Sequence, residues 1–120
     1  MGFFSRSKPN IEWQHLEELS QLDEIIEASN EMPQLLYKHS TRCGVSSMVR
    51  KQLDGAWAHE GKIIPWHLDL ISFRSISNEI ADRFGIQHQS PQIIILVNGQ
   101  AVMHVSHSPL SSQDLDTITA

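Results

Sequence analysis

Cysteine is nearly missing from this chain: among 120 residues only Cys43 carries a thiol. An internal disulfide is therefore excluded, and a secreted domain of this size would usually hold an even set of cysteines. Positive charge is scarce as well, with nine Lys and Arg against fourteen Asp and Glu and a net charge of -5. That balance lacks the basic footprint by which nucleic acids are held. Long apolar runs are also lacking. Only Gly2, Phe3 and Phe4 come before the first polar residues Ser5 and Arg6, too few for the apolar region of a secretion signal, and no later stretch approaches membrane-spanning length. Together these absences predict a cytoplasmic protein with neither a nucleic-acid nor a membrane partner. Repeats, linkers and low-complexity tracts are absent too, which predicts a single domain over residues 1–120. A hydrophobic content of 40% suffices for one core.

What is present has a clear rhythm. Leu16, Leu19, Leu22, Ile25 and Ile26 repeat at helical spacing, and Ser20 with Asp23 predicts a capped helix reaching about Ser29. Gln34 to His39 contains Leu35, Leu36 and Tyr37 in succession, as a central strand covered on both faces would. Beyond Cys43, the positions Val45, Met48, Val49, Leu53 and Trp57 fall on one helical stripe that predicts a helix ending near Gly61. Ile63 to Leu70 reads as a strand, with Pro65 confined to a sheet edge or to the strand's first residues because it has no N–H to donate. Ser75 to Phe84 predicts a helix with Ile76, Ile80, Ala81 and Phe84 inward and Gly85 as its C-terminal cap. Ile93 to Val97, Asn98-Gly99 and Ala101 to Val105 form a two-residue hairpin. From Ser112, Leu115 and Ile118 suggest a short terminal helix. Strands separated by helices pair in parallel, while the hairpin adds antiparallel strands. The expected fold is therefore α/β, a mixed four-stranded sheet with helices on both faces, an outline that is thioredoxin-like.

Cys43 falls between a strand end and a helix start, where free backbone N–H groups and the positive end of the helix dipole favour a thiolate. Lys38, Arg42, Arg50 and Lys51 lie between Met32 and Leu53, a stretch without Asp or Glu. A cysteine that merely packed as a small hydrophobe would be expected within the apolar stripe. Cys43 instead occupies the polar turn Ser40-Thr41-Arg42-Cys43-Gly44. Three positions on, where a dithiol enzyme keeps its resolving cysteine, stands Ser46. Its hydroxyl is either a partner for the thiolate or an ordinary first-turn serine. In both cases Cys43 needs an external thiol to complete a cycle.

The string from Lys38 through Cys43 to Met48, taken with Ser90-Pro91-Gln92 and the Asn98-Gly99 hairpin, resembles the monothiol bacilliredoxins of the bacillithiol redox system over nearly the whole chain. The resemblance implies a thioredoxin fold whose Cys43 takes bacillithiol from S-bacillithiolated proteins, with a second bacillithiol regenerating the thiol. It implies bacillithiol as co-substrate and no metal cofactor. Arg42, Gly44, Ser46 and Lys38 are then the thiolate-stabilising or thiol-binding residues. Bacillithiol carries malate carboxylates, so Lys38, Arg42 and Arg50 offer charges of the right sign. The resemblance further implies a cis proline at Ser90-Pro91, with the backbone there serving as the platform for substrate.

Two other readings remain open from the residues. Cys43-Gly44-Val45-Ser46 is similar to the Cys-Gly-Phe-Ser string of monothiol glutaredoxins, which implies an iron–sulfur cluster carrier, although Val45 replaces the Phe. A redox-inert binding module of the same fold would hold Cys43 near the free thiol pKa of about 8.5. Seven histidines invite a metal, but His104 and His107 lack nearby third and fourth ligands. His39 is nearest the thiol in sequence, and strand alternation alone does not decide which way it points. Trp13, Trp57 and Trp66 read as core or rim aromatics. The acidic residues from Glu12 to Glu31 read as the solvated face of the first helix.

Overall fold

The computed structural model describes residues 12–40, 44–56, 62–107, 114 and 117–118, apart from the side chains of 45, 46 and 54–56. Five strands form one sheet in the order β1-β3-β2-β4-β5: β1 (Gln14–His15), β2 (Gln34–His39), β3 (Ile64–Asp69), β4 (Gln92–Val97) and β5 (Gln100–Ser106). Among the described residues three helical elements accompany them, α1 (Leu19–Ala28), α2 (Gly44–Ala56) and α3 (Arg74–Phe84). Strand β2 is central, parallel to β3 and antiparallel to β4, and all six of its residues are buried.

Strand alternation divides the core in two. Leu35 and Tyr37 of β2 face α2 and pack with Val49, Leu53, Ile93 and Ile95. Leu36 faces the other way, into a layer formed with Leu22 and Ile25 of α1, Ile76 and Ile80 of α3, and Leu68, Ile94 and Leu96 of the sheet. Helices thus cover both faces, α2 on one and α1 with α3 on the other.

Several expectations need correction. The sheet has five strands where four were expected, because Gln14 and His15 pair in parallel with Trp66 and His67. Two exposed polar residues give no periodicity to read. This addition makes β3 an interior strand, yet Pro65 is accommodated. Ile64 donates its N–H to Pro33 O on the β2 side. By alternation the Pro65 nitrogen faces the other side, ahead of the point where β1 begins opposite Trp66. Helix α1 starts earlier than Ser20 and Asp23 suggested: Glu18 is the N-cap, and Gln21 Oε1 accepts the backbone N–H groups of Glu17 and Glu18 at 2.7 and 2.9 Å. Met48 is 59% exposed, because Val49 and Leu53 four residues on take the inward stripe and leave Met48 a hundred degrees round the helix. The helix is continuous through Asp54-Gly55 to Ala56, and its expected extension past Trp57 toward Gly61 lies outside the described residues.

Other expectations hold. Gly85 closes α3 with φ 63°, a left-handed conformation that suits glycine, and its N–H reaches Ala81 O. Asn98 and Gly99 have φ of 52° and 77°, the positive pair that a two-residue hairpin turn requires. Across β4 and β5 the register slips between Ile95 and Leu96, leaving Val102 unmatched and 51% exposed. Of the expected terminal helix, Asp114, Thr117 and Ile118 are described and helical, and Ile118 packs on the α2-side core. Among the described residues no helix is long and apolar enough to cross a membrane.

Candidate functional site

The site is assembled at one end of β2. His39 is the last residue of that strand and Gly44 the first of α2. Cys43 and Arg42 lie outside the described residues. Gly44 is exposed, and among the described residues nothing lies within 4 Å of where its Cβ would stand. Ser46 belongs to the first turn of α2. In sequence, Cys43 directly precedes a thirteen-residue helix whose first N–H groups have no partner within the helix, which is the setting that favours a thiolate.

The second part of the site is the segment between α3 and β4. The Ser90-Pro91 peptide is cis, as the resemblance implied. Pro91 is buried, and its carbonyl accepts the His107 N–H at 2.9 Å. Gln92 is buried behind it and donates from Nε2 to Gln87 O at 3.0 Å. The Ser90 hydroxyl is buried and has no hydrogen-bond partner among the described residues.

Alternation along β2 separates the two titratable residues that lead toward Cys43. His39 lies on the α2 side, 5% exposed, with Nδ1 3.2 Å from Tyr37 Oη. Its ring is 5.0 Å from that of His67, which stacks in turn near His15 and Trp13. Trp13 lies beneath the Arg50 guanidinium, 5.9 Å from the ring centre, and contacts Tyr37. Burial pushes the His39 pKa down, the Arg50 charge adds to the effect, and Asp69 opposes it. His67 is lowered further, to about 4, by burial first and then by Arg50, His39 and His15. Both imidazoles are therefore neutral at pH 7.

Lys38 points to the opposite side. It is fully buried among the α3-facing residues, and its Nζ donates to Ser77 O at 3.1 Å and lies 3.3 Å from His88 Nδ1. Burial lowers its pKa to about 8, so the ammonium is still charged at pH 7. The structure thus brings His39, Arg50 and Trp13 to the face shared with α2 and places Lys38 in the interior, away from that face. His67, Ser77 and His88 were not singled out from the sequence. His67 could have been found from its register opposite Tyr37, and His88 from its position three residues before Pro91. Ser77 gave no signal, since its carbonyl rather than its side chain receives the lysine.

A parallel-and-antiparallel sheet sandwiched by α2 and by α1 with α3, with a cis proline at the start of β4 and a cysteine just before α2, defines a protein of the thioredoxin fold. A structure described as having a thioredoxin fold superimposes with a TM-score of 0.74, at 24% identity over 88% of this chain and 92% of that one. The thioredoxin of Malassezia sympodialis gives 0.70, at 16% identity over 94% and 96%, and oxidised thioredoxin from Plasmodium falciparum gives 0.69, at 14% over 91% and 100%. Within that fold, residues 14–115 match the family model described as Monothiol bacilliredoxin BrxC, and the chain belongs to this family.

Proposed function

We propose that this protein is a cytoplasmic, single-domain monothiol oxidoreductase that removes bacillithiol from S-bacillithiolated proteins through a mixed disulfide at Cys43. One observation carries the reading: in a chain matched from 14 to 115 by the monothiol bacilliredoxin model, Cys43 is the only thiol and immediately precedes a helix N-terminus. The Cys43 thiolate attacks the bacillithiol sulfur of the mixed disulfide. A new bond joins Cys43 to bacillithiol, the old S–S bond breaks, and the target cysteine leaves as a thiolate that takes a proton from water. A bacillithiol thiolate then attacks the same sulfur of the adduct, releasing Cys43 and the symmetrical bacillithiol disulfide. Electrons are conserved at each step, and Ser46 cannot compete with the external thiol.

The helix N-terminus and Arg42 lower the cost of the Cys43 thiolate, Gly44 leaves room for the incoming disulfide, and the Ser90-Pro91 backbone holds the substrate in extended form. Arg50, partly exposed beside Trp13, is a described cation on the α2 face with the right charge for a malate carboxylate. Mass spectrometry after mixing with a bacillithiolated target protein tests the reading. A bacillithiol adduct on Cys43 is expected, together with release of the target thiol that Cys43→Ser abolishes. Equal release by wild type and Cys43→Ser would overturn it. Isolation of a coloured dimer that performs no exchange would favour a cluster carrier instead.

A further inference from the structure

A fully buried lysine is rare unless paired, and the charge on Lys38 is met here by neutral acceptors. An ammonium has only protons to offer, so His88 Nδ1 must accept and the imidazole proton resides on Nε2. The Ser77 hydroxyl lies 3.0 Å from the same Nδ1, and Ser77 O receives Lys38 directly. Two parts of the fold meet at this cation. Lys38 belongs to the strand that ends at His39, four residues before Cys43, whereas His88 stands three residues before Pro91. Gln92, directly opposite Lys38 in the β2–β4 register, anchors Gln87 O from the far end of the same segment.

We infer that Lys38 is a positioning residue for the proposed exchange, its buried ammonium fastening the segment that leads into Pro91 to the strand that leads into Cys43 through Ser77 and His88. The inference rests on the reaction proposed above. Leu68 on β3 and Gln92 on β4 flank Lys38 in the sheet, Ser77 and His88 face it from α3 and the segment after it, and Arg74 adds positive charge at His88. Removal of the ammonium would take a charged donor from Ser77 O and from His88 Nδ1 and leave that ring nitrogen to the Ser77 hydroxyl, and a segment held less firmly in this way would shift the platform relative to the thiol. Misplacement of about 1 Å is enough to slow a reaction strongly.

The test compares two rates on the full chain: exchange with a bacillithiolated peptide, which uses the platform, and alkylation of Cys43 by iodoacetamide, which does not. Both Lys38→Met and His88→Leu are expected to lower the ratio of exchange to alkylation about ten-fold. In the wild type that ratio should fall as pH rises through about 8, where Lys38 loses its proton, and Lys38→Met should abolish this fall. If Lys38→Met does not fold, His88→Leu and the wild-type pH profile decide. An unchanged ratio in His88→Leu, with or without an effect of Lys38→Met, overturns the positioning role, as does a flat wild-type profile. Absence of any bacillithiol adduct on wild-type Cys43 overturns the proposed reaction and this role together. A wild-type adduct with unaltered variant ratios overturns the role of Lys38 alone.

Discussion

The two faces of β2 solve one problem in opposite ways. Toward α2, the strand presents the buried rings of Tyr37 and His39, and neighbouring β3 presents the half-buried His67, with both imidazoles kept uncharged. Toward α1 and α3 it presents Leu36 and then Lys38, an aliphatic layer ending in one ammonium that keeps its charge at pH 7. A buried ionisable group is tolerated either by giving up its charge or by finding acceptors for it. Imidazole can take the first course cheaply because its ordinary pKa lies near neutrality. Lysine must hold its proton until the pH reaches about 8, so it needs Ser77 O and His88. Adjacent residues on a single strand thereby give the two sides of the sheet different responses to pH.

The largest expected effect sharpens this contrast. His67 has a folded pKa of about 4 against an ordinary 6.5, so between these values the unfolded chain binds more protons than the folded one. Stability then falls as pH drops from 6.5 toward 4, by up to about 3 kcal/mol for a shift of this size. On the other face, Lys38 is lowered from 10.5 to about 8, so the unfolded chain again binds more protons within that window. Stability should rise as pH climbs from 8 to 10.5, by a similar amount of about 3 kcal/mol. Chemical denaturation across the two windows checks both signs. His67→Phe should reduce the acidic limb and leave the alkaline limb intact, whereas Lys38→Met should flatten the alkaline limb and, by removing a charge that lowers His88, also soften the acidic one; loss of the alkaline limb in His67→Phe would break the separation of the faces.

A smaller effect is expected from Tyr37→Phe, which keeps the ring between Trp13 and His39 and removes the hydroxyl at His39 Nδ1. A buried polar atom left without its partner costs about 1–3 kcal/mol. Urea unfolding should show that loss at neutral pH, with the alkaline limb due to Lys38 unaltered. A change in the Lys38 limb would mean that the two faces communicate through the backbone of β2.

How far the fold could be read from the sequence follows from the same alternation. Helix stripes, the contiguous apolar strand and the Asn98-Gly99 turn each carry a local period or a required φ, and each was legible. Strand β1 was not, because two exposed residues held by pairing to Trp66 and His67 leave no pattern of their own. Met48 misled because an apolar residue adjoining the inward stripe looks inward in any window one residue wide of the true phase. At the site, Cys43 was conspicuous by its solitude. The direction of Lys38 was not, since a run in which every residue is buried offers no alternation by which to tell the faces apart. Its register opposite Gln92 and its contact with His88 depend on pairings at least fifty residues apart in sequence.

The smallest effect lies on the outer surface of the α1 and α3 layer and shows what burial contributes to the contrast. Arg83 donates to Glu79 Oε2 and to Asp23 Oδ1, both at 2.7 Å, linking α3 to itself and to α1, and these carboxylates raise its pKa. The geometry is better than that of Lys38, whose contacts are 3.1 and 3.3 Å. Yet the Arg83 side chain is 34% exposed and the Asp23 side chain 69%, so water and salt compete for both charges. Arg83→Ala should therefore cost only about 0.5 kcal/mol, shrinking further in high salt. Urea unfolding with and without added salt measures this. A loss as large as that expected for Tyr37→Phe would show that the α1–α3 surface, and not only the buried ends of β2, holds the two helices on the sheet.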